Sequence, residues 1–518
     1  MIKRIEIEIE PAKAFDAVHL RKVARERSGI RPERVTDLVL IRRSLDARRK
    51  VPIYRVAFDV YVEAQARKGE PHTGRLLRAR ADHKVIIVGA GPAGYFAGLQ
   101  LLEHGIRPVI FDRGKDVQER RKDLRAIQQL GTVNPDSNYC FGEGGAGTYS
   151  DGKLYTAAKK RGSIRKVLEL LVEHGAHPDI LVDAHPHIGS NKLPQIVQAI
   201  RHTIEGHGGE VHFASRVTDL VIRDKTIYGV IVNDRQEHLA ANVILATGHS
   251  ARDIYELLHQ KNLHIEPKPF AMGIRIEHAQ GVIDQMQYHL HPRGRHLPAA
   301  SYKMVAQIEN RGVFSFCMCP GGLIVPAATA PGEIIVNGMS LSGRDSAFAN
   351  SGIVVSVELD DVRRQHGADR LAGLRYQRET EERIFAAGDG SQQAPSQRMI
   401  DFIEQRLSDS LPATSYIPGL YAAPLHELLP APITTRLQKA MVTFGTRKAG
   451  FLTNDAVIVG VESRTSAPVR IPRHRSSLEH VDIKNLYPCG EGAGYAGGIV
   501  SAALDGQNVA TAVGGKMG

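Results

Sequence analysis

The sequence predicts an α/β protein in which a small α+β domain precedes a parallel-stranded unit, and a mainly antiparallel β domain interrupts that unit. Three observations predict this arrangement. A buried strand, a glycine-rich turn and a helix follow one another from Lys84. Apolar and polar residues alternate over 266–455, for example in Ala271–Glu277 and Val313–Met318. A strand, a glycine-rich loop and a helix then return from Val457. The predicted domains are residues 1–80, 81–265, 266–455 and 456–518.

The composition is that of an ordinary globular enzyme: apolar residues make up 42% of the 518 positions and charged residues 24%. No apolar run reaches the roughly 20 residues that span a bilayer. The start, Met1–Glu10, alternates Ile with charge and lacks the apolar core of a signal peptide, so we expect a cytoplasmic protein. Four cysteines in a chain of this size predict reduced thiols and no disulfide framework. They are Cys140, Cys317, Cys319 and Cys489.

Residues 1–80 predict a separate domain with a β-α-β-β order. Ile2–Glu10 alternates with period two, and Ala14–Arg27 has the spacing of an amphipathic helix. Val35–Arg43 and Val51–Val62 predict two strands, joined by the basic turn Ser44–Lys50. The order indicates a ferredoxin-like or related α+β module. This domain carries 20 Lys and Arg against 11 Asp and Glu, so most of the net charge of +11 lies here.

The turn after the strand Lys84–Val88 has the spacing G-x-G-x-x-G. Gly89 permits a tight turn, Gly91 lets the backbone approach a pyrophosphate, and Gly94 lets the helix pack closely on the strand. The N–H groups at the start of the helix then face the phosphates. Asp112, 21 residues after Gly91, is placed to accept from ribose hydroxyls. The unit predicts a Rossmann-like dinucleotide site.

Two later segments favour FAD over NAD. The strand Val243–His249 ends in Ala-Thr-Gly, and Tyr487–Gly506 contains Glu491 and several glycines before a helix that starts near Ile499. A carboxylate there suits the ribityl hydroxyls, and a helix N-terminus suits the flavin N1–C2=O edge, where negative charge gathers on reduction. We predict FAD as the cofactor and no metal. The predicted FAD-binding residues are Gly89, Gly91, Pro92, Ala93, Gly94, Asp112, Arg113, Gly145, Ala146, Gly147, Thr148, Ser150, Val217, Ala246, Thr247, Gly248, Gly490, Glu491, Gly497, Gly498 and Ile499.

These motifs resemble the glutathione-reductase-type FAD superfamily. More narrowly, the chain resembles a bacterial family of uncharacterised FAD-dependent dehydrogenases that join a small α+β domain to an FAD domain interrupted by a substrate domain. The resemblance implies the fold and the cofactor, and it leaves the substrate open. The segments that carry the narrower resemblance are Phe141–Leu154, Ala246–Asp253, Phe316–Gly322, Asn337–Ser340 and Gly460–Ser466.

Candidate catalytic residues are few. Lys153 could lie near flavin N5 or a substrate anion, His249 could donate a proton, and Arg464 could bind a carboxylate or phosphate. The resemblance places Phe141–Leu154 where disulfide reductases carry their redox cysteines, and this loop has none. For Cys317-Met-Cys319 we weigh a redox or metal pair against free buried thiols, and favour the thiols.

The sequence favours an FAD-dependent oxidoreductase that transfers hydride between flavin N5 and a small organic substrate. No second G-x-G-x-x-G occurs in 255–455, so NAD(P)H would bind only transiently, or a redox partner protein would supply electrons. Two alternatives stay open: an enzyme that modifies tRNA through the basic domain, and a non-catalytic flavin-binding interaction protein. The basic residues behind the RNA alternative are Arg42, Arg43, Arg48, Arg49 and Lys50.

Overall fold

The computed structural model describes residues 1–49, 51–66, 69–156 and 162–517. Lys50, the last residue of the predicted basic turn, lies outside this part of the chain. Within the described residues, no helix is long and apolar enough to cross a membrane.

The N-terminal domain is a three-stranded antiparallel sheet in the order β1-β3-β2, with one helix packed against it. The helix starts later than predicted because Asp16 caps it, its carboxylate accepting from the His19 N–H at 2.9 Å. The described residues hold only the β-α-β-β half of a ferredoxin-like β-α-β-β-α-β unit, since the next strand belongs to another sheet. The elements are β1 (Ile2–Ile9), α1 (Ala17–Arg27), β2 (Val35–Asp46) and β3 (Ile53–Val62).

The next part of the chain builds most of a parallel sheet, with helices on it and a three-stranded antiparallel meander, β7-β8-β9. Its central strand β4 ends in four buried residues, as expected of a strand covered on both faces. The elements are β4 (Arg80–Val88), α2 (Pro92–Glu103), β5 (Ile106–Phe111), α3 (Val117–Leu130), α4 (Ile164–Glu173), α5 (Leu193–Gly206), β6 (Glu210–His212), β7 (Val217–Arg223), β8 (Thr226–Val232), β9 (Gln236–Leu239), β10 (Val243–Leu245) and α6 (Arg252–Gln260).

The interposed domain is built on a seven-stranded sheet, β13-β14-β17-β12-β20-β18-β19, in which only β18 and β19 are parallel neighbours. Six helices accompany it, so the prediction of a mainly β domain was too simple. Its elements are β11 (Glu266–Pro267), β12 (Phe270–Ala279), α7 (Gln280–Tyr288), β13 (Val305–Ile308), β14 (Arg311–Cys319), β15 (Gly322–Pro326), β16 (Val336–Ser340), β17 (Phe348–Val357), α8 (Leu359–His366), α9 (Ala372–Ala386), β18 (Ala394–Arg398), α10 (Met399–Ile403), β19 (Leu420–Ala422), α11 (Leu425–Leu428), α12 (Ala431–Arg447) and β20 (Val457–Glu462).

The placement of β20 corrects the predicted boundary at residues 455 and 456. This strand pairs with β12 and β18 inside the antiparallel sheet, not with the parallel one. All six of its residues are buried. A continuous apolar run cannot distinguish the middle of a covered antiparallel sheet from a parallel strand, and the prediction failed for that reason.

The chain then returns to the parallel sheet, which has the order β22-β10-β4-β5-β6. The last helix packs along α2, and Gly506 makes the close approach possible, because a Cβ there would lie 2.1 Å from the Ala93 carbonyl oxygen. The C-terminal helix is thereby held against the helix of the glycine fingerprint. The returning elements are β21 (Val469–Arg470), β22 (Leu486–Pro488) and α13 (Ile499–Met517).

Arg43 joins the N-terminal domain to the rest of the protein. Its backbone N–H donates to the Val182 carbonyl at 2.8 Å, and its carbonyl accepts from the Ala184 N–H at 2.9 Å. Its buried guanidinium pairs with Asp179 and Asp183, each at 2.8 Å. The edge of β2 is therefore extended by a neighbouring backbone segment, with a buried cation at the junction.

The arginines behind the RNA alternative are mostly engaged within the protein. Besides the buried Arg43, Arg48 pairs with Asp46 at 2.6 Å and Arg49 with Glu8 at 3.2 Å, whereas Arg42 is exposed. Ion pairing reduces the positive field that these residues present to phosphates. The structure gives the RNA alternative no added support.

Candidate active site

A cavity of about 1250 Å³ lies at the carboxyl ends of the parallel strands and extends to the antiparallel domain. Gly91, Asp112 and Thr247 line it from the parallel unit, while Tyr302 and Cys317 line it from the interposed domain. This volume exceeds the upper range of a pocket for one drug-sized ligand, which is roughly 1,000 Å³. The cavity is therefore large enough for a dinucleotide and a second, smaller molecule.

The three glycines of the G-x-G-x-x-G turn have different surroundings, as their spacing predicts. Gly89 has φ +108°, and a Cβ there would lie 2.4 Å from the Ala246 carbonyl oxygen. A Cβ at Gly94 would lie 1.9 Å from the Gly89 carbonyl oxygen. At Gly91 the nearest atom would be the Gly145 Cα, 3.9 Å away. Gly89 and Gly94 are thus required by packing, whereas Gly91 keeps open a space at the N-terminus of α2 that suits a pyrophosphate.

Asp112 and Arg113 line the adjacent wall. The Asp112 carboxylate accepts from the backbone N–H groups of Ala90 at 2.8 Å and Gly114 at 2.9 Å, so it shapes the turn. Each oxygen retains acceptor capacity for a ribose hydroxyl. The Arg113 guanidinium is held by two carboxylates. Its Nε donates to Asp136 at 2.9 Å, and its Nη1 donates to Asp253 at 2.9 Å.

Eighteen of the predicted FAD-binding residues line the cavity, and three do not. Gly94 packs α2 on β4. The Thr148 hydroxyl turns back to donate to the Glu143 carbonyl at 3.0 Å. The Gly490 N–H donates to the Asp505 carboxylate at 2.7 Å, and a Cβ there would lie 2.9 Å from the Ala93 side chain. These three residues fix the backbone behind the cavity wall and do not line the predicted FAD site.

His249 and Glu491 face each other across the cavity wall, with Nδ1 and Oε1 3.8 Å apart. Burial lowers the pKa of His249 to about 4, and the nearby arginines Arg464 and Arg252 add to the effect. The imidazole is therefore neutral at pH 7, which argues against His249 as a proton donor in its charged form. Burial raises the pKa of Glu491 to about 7, so this carboxyl can hold or release a proton near neutral pH.

Arg464 borders the cavity, but a buried network occupies most of its donors. Its guanidinium contacts Glu333 at 2.8 Å, Glu381 at 3.0 Å and the Thr329 hydroxyl at 2.6 Å. Arg252 contacts the same Glu381 at 2.8 Å. Two arginines and two carboxylates thus neutralise one another where the two domains meet. The geometry gives Arg464 a structural role, in place of the substrate contact expected from the sequence.

Lys153 reaches the interposed domain. Its ammonium donates to the Met318 carbonyl and lies 3.9 Å from both Cys317 Sγ and an Asp151 carboxylate oxygen. Asp151 in turn pairs with Arg344 at 2.5 Å. Burial works against the charge on Lys153, but the two cysteine sulfurs nearby and Asp151 raise its pKa overall. It is a protonated lysine where the cavity meets the interposed domain.

Several lining residues could not be selected from the sequence. Arg344 and Tyr302 come from different loops of the interposed domain, and no motif marks them. Asn337 and Asp151 lie in segments that carry the narrower resemblance, and Cys140 directly precedes one of them, but nothing in the sequence singles out these side chains. Within the described residues, no group of three or more His, Cys, Asp and Glu side chains could hold a metal ion.

The residues that line the cavity fit FAD. They provide a space without side chains at the N-terminus of α2, the Asp112 carboxylate beside it and a second glycine loop before α13. Fold and site define an FAD-dependent protein. Residues 82–127 match a family model described as an FAD binding domain, and residues 269–465 match one described as FAD-dependent protein, C-terminal domain-like. Residues 1–61 match a domain of unknown function.

The chain is 38% identical over 514 residues to a protein of Clostridium beijerinckii named "Uncharacterized protein", covering 95% of each. It belongs to the same family of FAD-dependent proteins. Solved structures similar to it include CtdE in complex with FAD, at 11% identity and TM-score 0.34, covering 83% of this chain and 84% of that one. A variant of halogenase PltM in complex with FAD shows 12% identity and TM-score 0.39, covering 84% and 69%. The resemblance to the glutathione-reductase-type superfamily stays a prediction.

Proposed function

We propose that the protein is an FAD-dependent oxidoreductase that transfers hydride between flavin N5 and a small organic anion. One observation carries this proposal: a single cavity is lined both by the glycine fingerprint and by polar residues of the interposed domain. A second ligand would bind in the same enclosed space as the cofactor. Such proximity is the first requirement for direct transfer between two bound molecules.

When bound, FAD supplies a ring that accepts or donates a hydride equivalent. The chain's own residues position and balance it. Gly91 and the first turn of α2 offer N–H groups to the pyrophosphate. The N-terminus of α13, preceded by Gly497 and Gly498, offers the same kind of positive dipole end at the other side of the cavity. Glu491 holds a proton at its carboxyl near neutral pH and so can exchange one with a bound molecule.

The charge of the cavity wall beside Cys317 favours an anionic substrate. Lys153, Lys303 and Arg344 line the cavity, and Asp151 is the opposing carboxylate. A cleft with excess positive charge attracts carboxylates or phosphates. Tyr302 adds an aromatic face and a buried hydroxyl. A ligand that places an oxygen or nitrogen there could hydrogen-bond this group.

The test is anaerobic stopped-flow reduction of the purified holoprotein by NADH, NADPH or a reduced ferredoxin, followed by reoxidation with small carboxylic and phosphorylated acceptors. We expect one of these donors to bleach the flavin, and an anionic acceptor to restore its colour. Lys153→Met should raise the KM for that acceptor more than it lowers kcat. Lys192→Met is the matched comparison, because this lysine is exposed and does not line the cavity. A protein that neither retains nor rebinds FAD would overturn the proposal.

A further inference from the structure

The segment Cys317-Met318-Cys319 ends β14 with an irregular backbone. Phe316 pairs with Gly352, and Cys319 pairs with Asn350. Two residues of β14, Cys317 and Met318, therefore lie opposite one residue of β17, Ser351. This is a β-bulge, which commonly re-aims a side chain beside an active site. Cys317 has φ +44°, a left-handed conformation uncommon for a residue other than glycine. The bulge leaves Cys317 lining the cavity while Cys319 is fully buried behind it.

Cations surround the Cys317 sulfur. Lys153 Nζ lies 3.9 Å from it, and the fully buried Arg275 donates to the Cys317 carbonyl at 3.0 Å. Arg275 Nε lies 3.3 Å from Glu462, whose pKa burial raises to about 7 against the pull of Arg275. Near neutral pH, Glu462 is therefore only partly ionised. A thiolate on Cys317 completes the charge balance of the two cations.

Cys319 is placed as a donor to its neighbour. Its thiol donates to the Cys317 carbonyl oxygen at 3.2 Å. The contact with Cys319, with help from Lys153 and Arg275, lowers the pKa of Cys317 well below its ordinary value. The same contact, together with burial, raises the pKa of Cys319. One sulfur is thus poised as a nucleophile and the other holds a proton.

We propose that Cys317 and Cys319 form a redox-active dithiol in the cavity wall, and that its substrate is a low-molecular-weight disulfide. The Cys317 thiolate attacks one sulfur of the disulfide R–S–S–R, forming a Cys317–S–S–R bond and releasing one R–S⁻. The Cys319 thiol then gives its proton to the R–S⁻ released in the first step and attacks the Cys317 sulfur. The protein disulfide forms and the second R–S⁻ leaves, so two electrons pass from the dithiol to the substrate. Neither step involves the flavin, and the inference does not rest on the proposed hydride transfer.

Cys140 provides a matched control within the same cavity. It also lines the wall and is partly exposed, and its sulfur accepts from the Ser250 hydroxyl at 3.4 Å. Burial raises its pKa. Access alone would make Cys140 and Cys317 similarly reactive, whereas the charge arrangement favours Cys317. Comparing the two separates the proposed chemistry from simple exposure.

The test treats reduced holoprotein at pH 7 with glutathione disulfide and follows intact mass, peptide maps and free thiols. We expect the wild type to lose two thiols and to link Cys317 to Cys319. Cys319→Ser should stop at a mixed disulfide on Cys317, Cys317→Ser should not form the linkage, and Cys140→Ser should behave as the wild type does. Faster modification of Cys140, or a wild type that retains both Cys317 and Cys319 thiols, would overturn the proposal.

A pH profile of alkylation by iodoacetamide tests the electrostatic part. Lys153→Met should slow alkylation of Cys317 at pH 7 by roughly tenfold and move the inflection to higher pH, while Lys153→Arg should restore both. An unchanged profile in Lys153→Met would contradict the inference, and folding can be checked by FAD retention. The charged and titratable groups that face Cys317 are Lys153 and Asp151 from the glycine loop, Arg275 from β12, Arg344 from the loop after β16, Cys319 from β14, Glu462 from β20 and Glu491 from the C-terminal loop.

Discussion

Replacing Glu381 by Gln tests whether the buried charge network holds the two domains together. The Glu381 carboxylate is fully buried and contacts Arg252 at 2.8 Å and Arg464 at 3.0 Å. Burial alone would raise its pKa, but the two arginines lower it from 4.5 to about 2. That difference corresponds to about 3 kcal/mol of stability. Breaking one partner of a buried network costs a similar ~3–5 kcal/mol.

The assay is the Tm of the holoprotein with FAD in excess. A loss of that size lowers Tm by roughly 6–20 °C for a cooperative unit of 150–250 residues. Because the pKa of Glu381 is depressed in the folded state, its contribution is complete above pH 4.5 and disappears only as the pH falls toward 2. The Tm difference should therefore be the same at pH 5.5 and pH 8. Glu382→Gln, on the exposed side of the same helix, is the control. Equal Tm values for the two variants would refute the reasoning.

Three further perturbations follow from the site and the domain junction. Gly91→Val should abolish FAD retention and leave the circular dichroism unchanged, since a Cβ there makes only an ordinary contact, with the Gly145 Cα at 3.9 Å, while the side chain fills the phosphate space; Gly206→Ala, in open space, should retain FAD. Glu491→Gln should remove an inflection near pH 7 from the rate of flavin reduction; an inflection that persists would assign it to another group. Arg43→Met should cost about 1 kcal/mol, because the half-buried Asp179 and Asp183 lose their buried cation but keep access to water, and should speed limited proteolysis after the N-terminal domain; a wild-type cleavage rate would argue against the junction.

The parts of the fold that depend on local chemistry could be predicted from the sequence. One short stretch of sequence specifies the βαβ unit. It contains the apolar run that ends at Val88, the glycines after it and the acidic residue at the end of the next strand. The parts that depend on pairing partners could not. β20 is as apolar as a parallel strand, and only its register with β12 shows which sheet it joins. The helices of the interposed domain are likewise not predicted, because the alternating strands between them give the stronger periodic pattern.

The same division applies to the site. The glycines and Glu491 are marked by spacing and lie at the cavity. The roles of Lys153 and Cys317 depend on a contact between residues 164 positions apart, which no local pattern encodes. Cys317 and Cys319 were interpreted as packing thiols because a regular strand gives no reason to distinguish them. The bulge and the surrounding cations supply that reason, and both arise only from the tertiary arrangement.

Arg464 shows how a double variant can decide between a structural and a substrate-binding role. The network of Arg252, Arg464, Glu333 and Glu381 has no net charge. Glu381→Gln leaves one excess positive charge and Arg464→Met one excess negative charge, whereas the double variant is balanced and keeps Arg252 near Glu333 at 3.5 Å. Because replacing a whole buried pair costs less than breaking it, the double variant should have a higher Tm than either single variant. If Arg464 bound the substrate instead, a raised KM would persist in the double variant despite its restored stability, and we expect the KM to recover with the Tm.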